Sequence, residues 1–246
     1  MAAAIGTGVD PKATSEASVL TELDNLADRW SGAEDATSGT VMEFVYGELG
    51  FAPNTNDYYA LDNSLFHRVL QARRANPISL AIIGIEIGRR LGVDLVPVGM
   101  PGHFLIGERV TPDGDPMRWF DPFAAGKELL VADAKRIFEA ITPPESEFSA
   151  LMLGATPPAF VANRILANIR NAAVRAGDIS SFALASELKL GIPGAGVEEF
   201  RELARVVASS GRHDRAVTVF NWLAQNDLTE AHEHLAQAQF HLAHLN

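Results

Sequence analysis

The chain has 246 residues, 47% hydrophobic and 21% charged, enough to bury a sizeable core in one large domain or two ordinary ones. Its net charge of −11, with a pI near 5.0, repels phosphate backbones and argues against nucleic acid as a partner. The complete lack of cysteine excludes disulfides, thiolate metal sites and a thiol nucleophile, and no apolar run is long enough to span a membrane.

Residues 1–15 are small and polar and read as a flexible leader. They lack the basic and apolar regions of a secretory signal, so a cytoplasmic protein without a membrane partner is expected. Leu20, Leu23, Leu26 and Ala27 then fall on one helical face, and residues 38–50 give a second helix ending at Gly50. A third helix is expected from about Ser64 to Arg74, stopped by Asn76-Pro77. The next segment, SLAIIGIEIGRRLG, is apolar almost all round, as a helix at the centre of a domain would be.

From there the period changes to two. VDLVPVG, HFLIGERV and MRWFD read as strands, the last two joined by the turn TPDGDP, and a further helix lies near 132–141. A domain boundary is placed near residue 155, dividing an α+β domain (16–155) from an all-α one (156–246). Within the latter, Gly177 and Gly211 are separated by one tetratricopeptide period of about 34 residues. Counting from these glycines, Phe200, Leu203, Ala204, Val207, Ala216 and Phe220 occupy the core positions of one repeat. Leu166, Ile169, Arg170, Ala173, Phe182 and Ser186 fill a poorer one. So few repeats are expected to pack on the first domain rather than stand alone.

Three polar residues stand out in the α+β domain. Ser79 lies in the first turn of the buried helix, where free N–H groups favour a developing oxyanion. His103 and Asp121 stand at the ends of two apolar strands. They read either as a base with its orienting carboxylate or as a polar pair holding the strands in register. Ser79 reads either as a nucleophile or as the cap of its helix.

The order helix residue, strand histidine, next-strand aspartate resembles that of transglutaminase-like, papain-related folds. Four markers in sequence extend the likeness: Asn63-Ser64, Pro77–Leu80, Pro101-Gly102-His103-Phe104 and Asp121-Pro122-Phe123. Together with the helical repeats they resemble the bacterial transglutaminase-like family named after the invasion regulator SirB. The resemblance implies that His103 and Asp121 hold the superfamily's His and Asp positions, and that Ser79 stands where active members have cysteine.

Asn63 is a further candidate, as an oxyanion-hole amide or a helix cap. Glu86, two turns beyond Ser79, is either a buried acid or the partner of Arg90, and Trp119 is a candidate to line or fill the cleft. His232 and His234 point about 200° apart on a helix and so cannot share an ion. His241 and His244 supply only two ligands, so neither a metal nor a cofactor is expected. The expected function is that of a non-catalytic module meeting a protein partner through its repeats. The alternatives are a weak Ser–His–Asp hydrolase or acyltransferase, and a peptide- or small-molecule-binding protein using the same cleft.

Overall fold

The computed structural model describes residues 2–10, 15–32, 35–111, 114–192 and 196–245. Residues 11–14 of the expected leader and 112–113 of the expected TPDGDP turn lie outside the described residues. The chain divides into two units, residues 1–168 and 169–246.

In the first unit, α1 (Ala2–Val9) forms where a flexible leader is expected, and it buries Ala3, Ile5 and Val9. Two small contacts outweigh its weak helix propensity. Its C-terminal neighbour Asp10 accepts from His67 Nε2 at 3.0 Å and from Arg68 Nη2 at 3.3 Å. Helix α2 (Glu16–Ala27) buries Val19, Leu23, Leu26 and Ala27, while Leu20 is partly exposed. The second expected helix is split into α3 (Ser38–Met42) and a π-helical turn, Glu43–Glu48. Helix α4 (Phe66–Ala72) stops at Arg73, whose φ of 54° is left-handed, several residues before Pro77.

At the centre runs α5 (Pro77–Arg90), with Leu80, Ile83 and Ile87 fully buried. It lies against a four-stranded antiparallel meander in the order β3-β4-β5-β6. Strands β1 (Ala52–Pro53) and β2 (Arg74–Ala75) form a separate parallel pair. The meander contains β3 (Leu95–Val98), β4 (Leu105–Glu108), β5 (Arg118–Asp121) and β6 (Lys127–Leu129), the last unforeseen in the sequence. Two helical glycines set the depth at which α5 sits. A Cβ on Gly84 would fall 2.9 Å from Ile106, and one on Gly88 would fall 2.5 Å from Leu95, so larger residues would push the helix off the sheet. On a second side, Val98, Leu105 and Leu129 join Ala134 and Phe138 of α6 (Val131–Ile141).

The second unit is helical throughout its described residues. The division falls inside α7 (Pro158–Ala176), which is followed by α8 (Ile179–Leu190), α9 (Val197–Ser209), α10 (His213–Asn226) and α11 (Ala231–Ala243). Phe200, Leu203, Ala204, Val207, Ala216 and Phe220 form one buried cluster. Gly177 and Gly211 both take positive φ, 67° and 71°, at the turns between helices.

Candidate functional site

The start of α5 is built by Asn76, not by Ser79. Asn76 is the cap: its Oδ1 accepts the Ser79 N–H at 3.1 Å, and its Nδ2 donates to Ser64 Oγ at 2.9 Å. Pro77 follows at the first helical position, where its missing N–H costs nothing. Ser79 is therefore a residue of the first turn rather than its cap. It is fully buried, and its Oγ has no hydrogen-bond partner.

The sheet supplies the other two residues. His103 follows a tight turn in which Gly102 takes φ 72° and the His103 N–H donates to Met100 O at 3.1 Å. At the end of β5, buried Asp121 accepts twice through Oδ1: from His103 Nε2 at 3.0 Å and from the Phe123 N–H at 2.8 Å. The second bond caps the short 3-10 turn Pro122–Ala124, which packs against α5. An ionised carboxylate only accepts, so the bond to Asp121 places an imidazole N–H on Nε2. The structure thus brings His103 and Asp121 together. It gives Ser79 no bond to the imidazole, and a hydroxyl needs that contact to lose its proton during attack.

Sequence reasoning passed over Tyr46, which the π-helical turn aims into this core. Its buried hydroxyl donates to Leu80 O at 3.0 Å. Burial, and then the negative charge of Asp121, raise its pKa well above the usual phenol value, so it stays a neutral donor. Nothing in the local pattern marks it, because π-turns have no sharp sequence signature.

Three other candidates take different roles. Asn63 caps no helix: its Nδ2 donates to Asp57 O at 2.7 Å and Tyr58 O at 3.0 Å, and its Oδ1 accepts from Asn54 at 2.9 Å. Its amide is spent on shaping the 54–59 loop rather than on an oxyanion. Trp119 donates from Nε1 to Leu153 O at 2.9 Å and packs against the Phe138 cluster, so it does not fill the site. Glu86 pairs with Arg90 at 2.6 Å and Arg89 at 3.1 Å, the ion-pair alternative.

The exposed rings of Tyr58 and Tyr59 meet edge to face at 5.0 Å, and Tyr58 meets Phe123, the residue whose N–H Asp121 accepts, at 5.9 Å. Elsewhere, Asp227, Glu230 and His234 place three potential ligand atoms within 4.8 Å of one another. Arg201 already occupies that group, its Nε donating to Asp227 Oδ2 at 2.9 Å. His241 turns instead to His213, with Nδ1 atoms 2.8 Å apart, and His244 bonds Phe240 O.

A central helix packed on an antiparallel meander, with a histidine–aspartate bond between the turn before β4 and the end of β5, defines an α+β class of domain. Residues 17–167 match the transglutaminase-like superfamily, and the chain belongs to it. A UPF0162 protein of Xylella fastidiosa (strain 9a5c) is 36% identical over 53% of this chain and 47% of its own. UPF0162 protein PA3419 of Pseudomonas aeruginosa is 32% identical over 68% of this chain and 61% of its own. The human F-box only protein 21 is 32% identical over 58% of this chain and 23% of its own. The chain spans about half the length of the first of these relatives. No helix among the described residues is long and apolar enough to cross a membrane.

Proposed function

We propose that the chain is a non-catalytic transglutaminase-like protein, a protein-interaction or regulatory module that has kept the superfamily's frame without its nucleophile. One observation carries this reading. The side chain in the nucleophile position is a hydroxyl that is fully buried and bonded to nothing. An activated serine needs a base within hydrogen-bond reach and a path for substrate, and Ser79 has neither. We read the helices after residue 155 as tetratricopeptide-like repeats offering a partner surface, on the strength of the two glycine turns and the buried cluster that the helices on both sides of Gly211 share. The exposed Tyr58 and Tyr59, linked through Phe123 to the Asp121 turn, favour a second contact there, for a docked peptide segment.

The test is chemical. Wild-type protein should take up no fluorophosphonate and incorporate no amine. Ser79→Cys should react with iodoacetamide more slowly than a free thiol near neutral pH, and at full rate only once unfolded. Stoichiometric fluorophosphonate labelling abolished by both Ser79→Ala and His103→Ala would overturn the proposal.

A further inference from the structure

Arg164 of α7 belongs to the first unit and sits on the turn that presents His103. Its Nη1 donates to Met100 O at 2.9 Å, the same carbonyl that accepts the His103 N–H at 3.1 Å. The guanidinium lies over the ring of Phe104, with Cζ 5.3 Å from the centroid, which fixes the plane of its remaining donors. Several half-buried arginines of this acidic chain are matched to carboxylates: Arg90 to Asp24 and Glu86, Arg170 to Glu202, Arg201 to Asp227. Arg73, far from His103 in sequence, meets a backbone oxygen and the Phe51 ring as Arg164 meets its own. Arg164 has no carboxylate partner among the described residues, only a backbone oxygen and an aromatic face. Burial lowers its pKa, the mark of a cation that has lost water without gaining an anion.

On the open side stands Tyr58. Burial and then Tyr59 raise its pKa while the charge of Arg164 pulls it down, so the phenol lies within the field of the guanidinium. Asn63 holds the Tyr58 carbonyl, and Phe123, next to the Asp121-Pro122 turn, holds the ring edge to face. Asn63 and Phe123 therefore hold both the backbone and the ring of Tyr58.

We infer that Arg164, aided by the Tyr58 hydroxyl, is a receptor for one carboxylate on a peptide segment docked beside His103. This rests on the reading that the site binds rather than reacts. The guanidinium fork matches the two oxygens of a planar carboxylate, and the phenol supplies an O–H donor. A phosphate dianion would meet one cation only, close to the Asp121 carboxylate and in a chain of net charge −11, so the single-charged ligand is favoured.

The test uses the full chain, nuclear magnetic resonance and three acetylated tripeptides. Acetyl-Ala-Ala-Glu-amide carries a side-chain carboxylate, acetyl-Ala-Ala-Ala with a free C-terminus carries a terminal one, and acetyl-Ala-Ala-Gln-amide carries none. One or both acids should shift the Arg164 Nε–H and the His103 amide saturably, about tenfold more tightly than the glutamine control. Which acid does so tells an acidic side chain from a chain end. Arg164→Gln should abolish the difference. Arg164→Lys keeps the charge without the fork and should lose about threefold or more, which keeps the test valid if the glutamine variant melts early. Tyr58→Phe should weaken the acids and leave the control unchanged. Equal binding of acid and amide, no binding of any peptide, tighter binding of inorganic phosphate, or an unchanged response in Arg164→Gln would overturn the inference. If carboxylate discrimination fails while Ser79 stays unlabelled by fluorophosphonate, this inference alone falls. If discrimination holds and Ser79 is labelled, only the non-catalytic reading falls.

Discussion

Beside His67–Asp10, which ties α1 to α4, the units each hold a histidine–carboxylate pair of nearly the same geometry: His103 Nε2 lies 3.0 Å from Asp121, and His234 Nε2 lies 2.9 Å from Asp227. Their surroundings differ. Asp227 also accepts from Arg201 and from Thr229 at 2.7 Å, and these donors, His234 first, hold its pKa well below the usual carboxylate range. Asp121 has one further donor, the Phe123 N–H; the Phe123 ring meets exposed Tyr58, and the turn before His103 is held by an arginine without a carboxylate. A His–Asp distance alone therefore says little about function. The unspent donors around the pair say more: the second unit has closed its network on itself, and the first has left a guanidinium open.

That contrast predicts an order of effects on substitution. Asp227→Asn strips the charge from a carboxylate that gathers Arg201, His234 and Thr229, and it should lower the melting temperature the most. Asp121→Asn keeps an acceptor for the Phe123 N–H and should cost about 1–2 kcal/mol. Thermal melts of the two variants side by side check the order. A larger loss for Asp121→Asn would mean that the first pair, not the second, is the structural one.

Acid should act on the second unit in two separate steps. Burial, then the charges of His213 and His244, lower the pKa of His241, so the unfolded chain takes up a proton more readily at this site. Its contribution to stability is complete above the unfolded value of about 6.5 and is lost as the pH falls below it. Asp227, also depressed, keeps its contribution until much lower pH, because its loss begins only below the unfolded carboxylate value of about 3.9. Amide protection factors in α10 and α11, which correct for the intrinsic slowing of exchange by acid, should therefore fall between about pH 7 and 5. His241→Leu should flatten that dependence. An unchanged slope in the variant would remove His241 as its source.

Much of the first unit was legible in the sequence, because helical and alternating periods survive as burial: α2, α5 and three strands of the meander stand close to where the pattern puts them. The misses have local causes. Asn76-Pro77 was read as the stop of one helix, but it is also the cap and first residue of the next, which moved the capping role from Ser79 to Asn76. Helix α1 has little propensity and is held by tertiary contacts of Asp10 with α4, which no local window contains. At the site, His103 and Asp121 could be paired from their strands. Tyr46 and Arg164 could not, since they arrive from a π-turn and from a helix far along the chain.

Ser79→Ala sharpens the comparison from the other direction. A buried hydroxyl without a partner has lost water and gained nothing, so deleting it should raise stability by about 1 kcal/mol, the reverse of most core truncations. A loss of stability would reveal a bond that Ser79 makes in solution, and with it a possible route to the imidazole.

Glu86→Gln should do least. Its carboxylate bridges Arg89 and Arg90 on the rim of an apolar pocket that Val19, Leu23 and Ile82 also line, away from the His–Asp pair. The side chain is about one-third exposed, so solvent screens the pairing, and Arg90 keeps Asp24 at 2.7 Å when the charge is removed. A cost within about 0.5 kcal/mol follows, with no change in the His103 resonances or in carboxylate binding. Were Glu86 the buried acid of a working site, its neutralisation would instead shift the His103 titration, which nuclear magnetic resonance reads directly. The same variant therefore separates an ion pair on the outer side of α5 from an acid that serves the inner one.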